Sequence, residues 1–310
     1  MKHHYVPAFY LRSFIDPACP AHYESYLWVV DLDRGRVRRQ SPRNTAHRTD
    51  YYAVGCESRY DVEKYFSRVE SETSPVFSKI LGDCQGVEPE DQRVLSHFAA
   101  LQVVRVLQFR DRIEQFIAQI GQTVNAMMIR SREGYEAALR DACPDRAFTA
   151  EEVDQLYASA HDVDSYRISA NPAAALGHAL NVVPKIADLL NRMSWAIMEP
   201  AGASNFWSSD NPLYYINPAS KHFAFGHALG AKDVEVNLPI GPRRCLLMAW
   251  SDIAGTRAKI SDVRGAQERG IAGAKRYLFC STEQDAQEAF DAHRRLFPRR
   301  YERSRLTEAE

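Results

Sequence analysis

The sequence predicts an α+β fold: a central helical block with a long helix, plus a mixed or antiparallel sheet built from N-terminal and C-terminal strands. Three observations predict it. Short β-type runs separated by Gly, Pro and Asn occur before residue 55 and return after residue 193, while residues 60–192 carry apolar side chains at helical spacing. No internal repeat or low-complexity tract interrupts this order. The resulting division is strands at 1–55, a helical block at 60–192 and a sheet region at 193–298. Together they read as a single composite domain over 1–298, with 299–310 as a loosely held tail.

The elements follow in chain order. "MKHHYVPAFYLRSF" reads as extended over residues 1–14, because Pro7 biases Val6 away from helix and lacks a donor. "SYLWVVDLDRGRVRRQSP" reads as a β-hairpin turning through Asp31, Asp33 and Gly35. Its D-x-D-x-G resembles the start of a calcium loop, but Pro42 stands where such a loop needs Glu. Residues 60–81 have helical spacing, with a kink or break expected at Pro75. The longest apolar pattern starts at Pro89 and runs without proline to about 128. Shorter helices are expected at about 131–143, 149–161 and 172–192. Beyond Arg192 come the strand-like runs "SWAIMEP", "NFWSSD", "PLYYIN", "EVNLPI" and "CLLMAW", then "RYLFCS" and a last helix around 283–296.

Composition narrows the function classes. The 310 residues are 45% hydrophobic, ample for a core, and 39 Lys+Arg against 40 Asp+Glu give a net charge of −1. No global field attracts a polyanion, so any nucleic acid or other anionic partner needs a local patch. There is no apolar run long enough to span a bilayer and residues 1–20 lack signal-peptide order, so a cytoplasmic protein without a membrane partner is expected. The six cysteines are scattered without CxxC spacing, which argues against a zinc knuckle or disulfide scaffold. Walker, GxGxxG, GxSxG and HExxH motifs are all missing. "HFAFGH", with His222 and His227, reads as a loop.

Four groups of residues carry candidate chemistry. His3 and His4 are neighbours on an extended segment, so they point to opposite faces; one faces a site while the other packs or orients it. "FWSSDNPLYYI" delivers Ser209 and Asp210 to a strand end, where Asp210 either projects into a site or closes an Asx-type turn. Arg105, within the apolar "FAALQVVRVLQF", needs acceptors if buried; Glu70 on the preceding helix is its natural partner, and a substrate anion is the other reading. Finally, Arg34, Arg36, Arg38, Arg39, Arg43 and Arg48 crowd one arm, either as a phosphate grip or as a solvated strand face diluted by Asp31, Asp33 and Asp50.

The blocks "HHYVPAFYLRSF", "YFSRVESETSPVFSKIL", "FAALQVVRVLQFRD", "MSWAIM…FWSSDNPLYY" and "VNLPIGPRRCLLM" together resemble the bacterial proteins grouped as domain of unknown function 4238. The resemblance spans most of the chain in the same order. It implies that His3, His4, Glu70, Arg105, Ser209 and Asp210 lie in matching blocks that converge, and it implies no cofactor or substrate.

The combined expectation is a metal-dependent enzyme, a nuclease- or phosphodiesterase-like hydrolase of an anionic substrate. His3, His4, Arg105 and Asp210 would be catalytic. His4, Glu70 and Asp210 would hold a divalent ion (Mg, Mn, Zn or Fe), with Tyr5, Arg43 and Ser209 on the substrate. One alternative is an iron-dependent oxygenase or oxidase using a His/carboxylate triad. Another is a non-catalytic ligand-binding or interaction module with a structural polar network.

Overall fold

The computed structural model describes residues 2–49, 58–82, 86–161, 172–200, 202–216, 229–253, 257–260, 263–298 and 300. His222, His227, Cys56, Cys84, Asp50 and residues 301–310 of the expected tail lie outside them. In chain order the elements are β1 (Lys2–His4), α1 (Ala8–Leu11), β2 (Leu27–Asp31), β3 (Arg36–Gln40), β4 (His47–Thr49), α2 (Ser58–Leu81), α3 (Pro89–Arg105), α4 (Leu107–Met128), α5 (Arg132–Ala142), α6 (Ala150–His161) and α7 (Pro172–Asn191). They continue with β5 (Ser194–Pro200), β6 (Ser208–Ser209), β7 (Tyr214–Ile216), β8 (Glu235–Gly241), β9 (Arg244–Ala249), β10 (Arg257–Ile260), α8 (Val263–Ala272), β11 (Tyr277–Cys280) and α9 (Glu283–Leu296). The chain forms two compact units, residues 1–109 with 179–310, and residues 110–178.

The α+β architecture holds, and strands from both ends of the chain share a sheet. β2 and β3 form the hairpin read from the sequence, and Gly35 takes φ +60° in its turn, a conformation that suits a residue without Cβ. The late strand β11 pairs with β2 on one side and β6 on the other, giving the antiparallel order β3-β2-β11-β6. On one face Trp28, Val30, Leu278 and Cys280 pack against Ala286, Ala289 and Ala292 of α9, whose small side chains admit the helix closely. The other face carries Arg36 and Arg38, Val29, Phe279 and Ser208, since residues opposite in register point the same way. β10-β5-β9-β8-β7 form a second sheet, antiparallel apart from the parallel β10–β5 pair, and β1 with β4 makes a small ribbon.

Three expectations need correction. Residues 8–14 are not extended: α1 and a 3-10 turn over Arg12–Phe14 follow Pro7, because Tyr10, Leu11 and Phe14 must all turn inward to full burial. Pro75 does not break α2, whose far end is held by buried Phe77 and Ile80. The long pattern after Pro89 instead divides at Val106, which is extended at φ −73°, ψ 151°. Val103, Val104 and Val106 are β-branched and weak helix formers, and Val106 is itself buried.

Tyr10 ties these parts together. Its ring lies 6.0 Å from Phe77 of α2 and 6.3 Å from Phe98 of α3. The hydroxyl donates to the Pro239 carbonyl of β8, so Ser208 of β6 must donate to the phenol oxygen, at 2.7 Å. One buried side chain thus joins two helices and both larger sheets. Tyr10→Phe is expected to cost about 1–3 kcal/mol, since it strands two buried polar groups while keeping the ring; urea unfolding measures it.

Candidate functional site

β1 lies antiparallel to β4 with His3 opposite Arg48 and His4 opposite His47. Strand alternation separates the two histidines as expected. His3 turns inward to full burial and its Nε2 lies 3.1 Å from the Glu63 carboxylate of α2. His4 stays half-buried and donates from Nε2 to the Arg43 carbonyl at 3.1 Å, since a carbonyl can only accept. Its ring meets that of His47 edge-on, centroids 5.7 Å apart. Burial first, helped by His47 and Arg105, holds His4 below its ordinary pKa against the pull of the Arg43 carbonyl and, less, of Glu70, so it is neutral near pH 7.

Arg105, ending α3, is buried at 6% exposure. Its Nε donates to the backbone carbonyl of His4 at 2.8 Å, its Nη1 to Glu70 Oε1 at 2.6 Å, and its guanidinium lies 4.5 Å above the Phe66 ring. The Glu70–Arg105 tie read from the sequence is therefore present, and it also anchors the amino-terminal strand. One turn earlier, Gln102 is fully buried and neither of its amide atoms has a hydrogen-bond partner among the described residues.

Asp210 sits elsewhere, and its carboxylate is spent on backbone. Oδ1 accepts from the Lys275 amide at 2.8 Å, and Oδ2 from Arg276 and Tyr277 at 2.8 and 3.1 Å. Burial outweighs these three donors and raises its pKa to about 6. Ser209 closes a local turn with Asn211, donating to its carbonyl at 2.9 Å and accepting from its amide at 3.1 Å. Tyr5 does reach this end of the fold. Burial, then Asp210 and Tyr277, push its phenol above the ordinary range, while Arg48 and Arg276 pull it down.

The predicted residues thus fall into two clusters, His4 with Glu70 and Arg105, and Tyr5 with Asp210. As a coordination set His4, Glu70 and Asp210 do not fit: Glu70 holds Arg105, Asp210 holds three amides, and the charges acting on His4 are His47, Arg105 and Glu70. Among the described residues no group of three His, Cys, Asp or Glu side chains could hold a metal ion. The side chain of Arg43 is exposed, and its backbone does the work.

The family model described as a protein of unknown function, DUF4238, matches residues 2–259. The chain belongs to that family. No curated protein and no solved structure matches. The DUF4238 match takes in Tyr10, Arg105 and Asp210; β11, which Asp210 caps, lies beyond it. No described helix is long and apolar enough to cross a membrane.

Sequence reasoning missed His47, Glu63, Arg276 and Tyr277 as neighbours of these clusters. His47 lies between Arg43 and Arg48, but only the β1–β4 register shows that it faces His4. A separate cavity of about 500 Å³ lies between Ala272, Ala274 and the end of α9, with His293, Leu296, Phe297 and Arg300 in its wall. Arg300 is already bonded to Asp33 and the Lys275 carbonyl.

Two outcomes follow from these contacts. Arg105→Met should lower stability by about 3 kcal/mol, leaving Glu70 and the His4 carbonyl without their donor, and Glu70→Gln should cost less because Arg105 keeps that carbonyl; denaturant titration compares them. Burial and Arg300 lower the pKa of His293 to about 4. Because the folded value lies below the ordinary 6.5, its contribution is complete above pH 6.5 and is lost as pH falls towards 4. The Tm of His293→Gln should therefore fall less steeply than that of the parent across this window.

Proposed function

We propose that this protein binds a phosphate-bearing ligand of the nucleotide or phosphodiester class on the arginine-lined side of β3 and β4. The observation that carries the reading is a set of cations with nothing to neutralise them. Among the described residues Arg34, Arg36, Arg38, Arg43 and Arg48 make no side-chain hydrogen bond or ion pair, and the Nε of Arg38 is buried without a partner. Of the acidic neighbours, the described Asp31 and Asp33 are already paired. Arg276 takes Asp31 and Asp33, and Arg300 takes Asp33 at 2.6 Å. Arg34 and Arg38 act on Tyr277, and Arg48 and Arg276 on Tyr5, so the cations gather around two phenols.

Guanidinium groups match phosphate oxygens with two parallel donors, and a partly exposed tyrosine offers a base a ring to stack on. The rigid support is the other cluster: Arg105 fixes the strand that ends at His4, next to Tyr5, and Arg48 lies opposite His3 on its partner strand. Hydrolysis and oxygen chemistry would each need an assembled centre, and the described residues supply none, so the reading stops at binding. His4, His47, Arg105 and Glu70 serve it as a structural polar network.

Titration with a fluorescent single-stranded oligonucleotide and with a nucleoside triphosphate tests this. Binding should weaken with salt, and Arg38→Ala and Arg48→Ala should each reduce affinity about 5–10-fold and lower the salt slope by about 1 for the oligonucleotide. Binding to neither probe, or binding indifferent to both substitutions, overturns the reading.

A further inference from the structure

β11 carries an aromatic side chain to a place that the unpaired arginines approach along two separate elements. Tyr277 lies opposite Asp31, and Asp31 opposite Arg36, so the three side chains stand in a row on one face of the sheet. Arg38 follows two residues along that face. Arg34 closes the turn beside them, its amide donating to Asp31 Oδ1 at 3.1 Å. The second approach comes from the β1–β4 ribbon. The Tyr5 amide donates to the carbonyl of Ala46, just before β4, at 2.9 Å, and so holds the segment after β1 against the chain that leads into Arg48. Arg34 and Arg38 lie close enough to act on the Tyr277 phenol, and Arg48 and Tyr277 both act on that of Tyr5.

Tyr277 itself is firmly held. Its amide donates to Asp210 Oδ2 at 3.1 Å, and its carbonyl accepts from the Asp210 amide at 3.0 Å. The guanidinium of Arg276 lies 4.9 Å from its ring centroid and is tethered in turn by Asp31 and Asp33. Yet the side chain is partly exposed, and its hydroxyl makes no hydrogen bond among the described residues. Tyr5 differs, being buried with no surface to offer. Tyr277 therefore supplies an aromatic surface on a fixed strand, within reach of cations on two elements.

We propose that this surface binds single-stranded nucleic acid, with one base stacked on Tyr277, a phosphate on one side of that base at Arg34 and Arg38, and the next phosphate at Arg48. The proposal rests on the phosphate-binding reading above and adds the base platform and the course of the strand. A nucleoside triphosphate carries all its phosphates on one side of its sugar, so it engages one group of cations and leaves the other idle. An internal nucleotide of a strand has a phosphate on each side. A duplex keeps the faces of its bases stacked on one another, whereas an unpaired base is free to lie on an aromatic ring. The arginines then set affinity and its salt dependence, and Tyr277 sets the preference for unpaired bases.

Fluorescence anisotropy of the full chain with a labelled single strand of about 12 nucleotides, made as DNA and as RNA, tests the proposal. The competitors are the same sequence as a duplex, a nucleoside triphosphate and inorganic polyphosphate. Either strand should bind more tightly than duplex or triphosphate at equal phosphate concentration, and the tighter of the two names the source. Tyr277→Leu should weaken strand binding at least about fivefold while Tyr277→Phe preserves it, because the ring stacks and the hydroxyl does not. Neither variant should alter polyphosphate binding, which needs only the arginines. The Asp210 bonds go to backbone and survive both changes, and circular dichroism shows that each variant folds. Strand binding unmoved by Tyr277→Leu, duplex or triphosphate that competes as well as the strand, or binding of polyphosphate without the strand overturns this proposal and leaves the phosphate reading standing. Failure of every probe to bind overturns both.

Discussion

The fold hangs on the placement of Tyr10. Its ring fills space between α2 and α3, and its hydroxyl satisfies polar groups of two different sheets, so the helices and sheets of the larger unit share one buried contact. A phenol is suited to this because it carries a large apolar body and a single polar end that must find partners when buried. The segment before Tyr10 is held by contacts of its own. Arg105 holds the His4 carbonyl, His3 reaches Glu63, and Tyr5 is buried close to Asp210.

That placement explains why the candidate residues converge without forming one centre. His4 ends β1 and Tyr5 follows it in a bend, and the two serve different neighbourhoods. Glu70 and Asp210 are both engaged by donors of the protein itself, one by a guanidinium and the other by three consecutive amides. Around β3 and β4, by contrast, described guanidinium groups are left without an ion pair. A chain with a net charge of −1 nevertheless concentrates six arginines on β3, β4 and their turns, none of them in an ion pair among the described residues, while Asp31 and Asp33 are engaged by Arg276 and Arg300.

Much of the architecture was legible. Alternating and β-branched runs marked β2, β5, β8, β9 and β11, and Pro89 marked the start of α3, since a proline at that position costs no helical hydrogen bond. α1 was not legible because its helical preference comes from the burial of Tyr10 and Leu11, against partners far along the chain. Nor was the break at Val106, which only packing makes favourable. β10 and α8 carry no strong periodicity in "RAKI" and "VRGAQERGIA", and the reading passed over both.

By itself the sequence determined the element types over most of the described chain, the separation of His3 from His4, and the need of a buried Arg105 for acceptors, because each follows from local geometry or from the chemistry of one side chain. Tertiary structure alone decided that Asp210 would cap β11, that His47 would face His4, and that Asp31 and Asp33 would be neutralised from beyond residue 270. Each of these depends on which distant backbone arrives alongside, and strand register is set by the combined burial of whole faces rather than by any short stretch of residues.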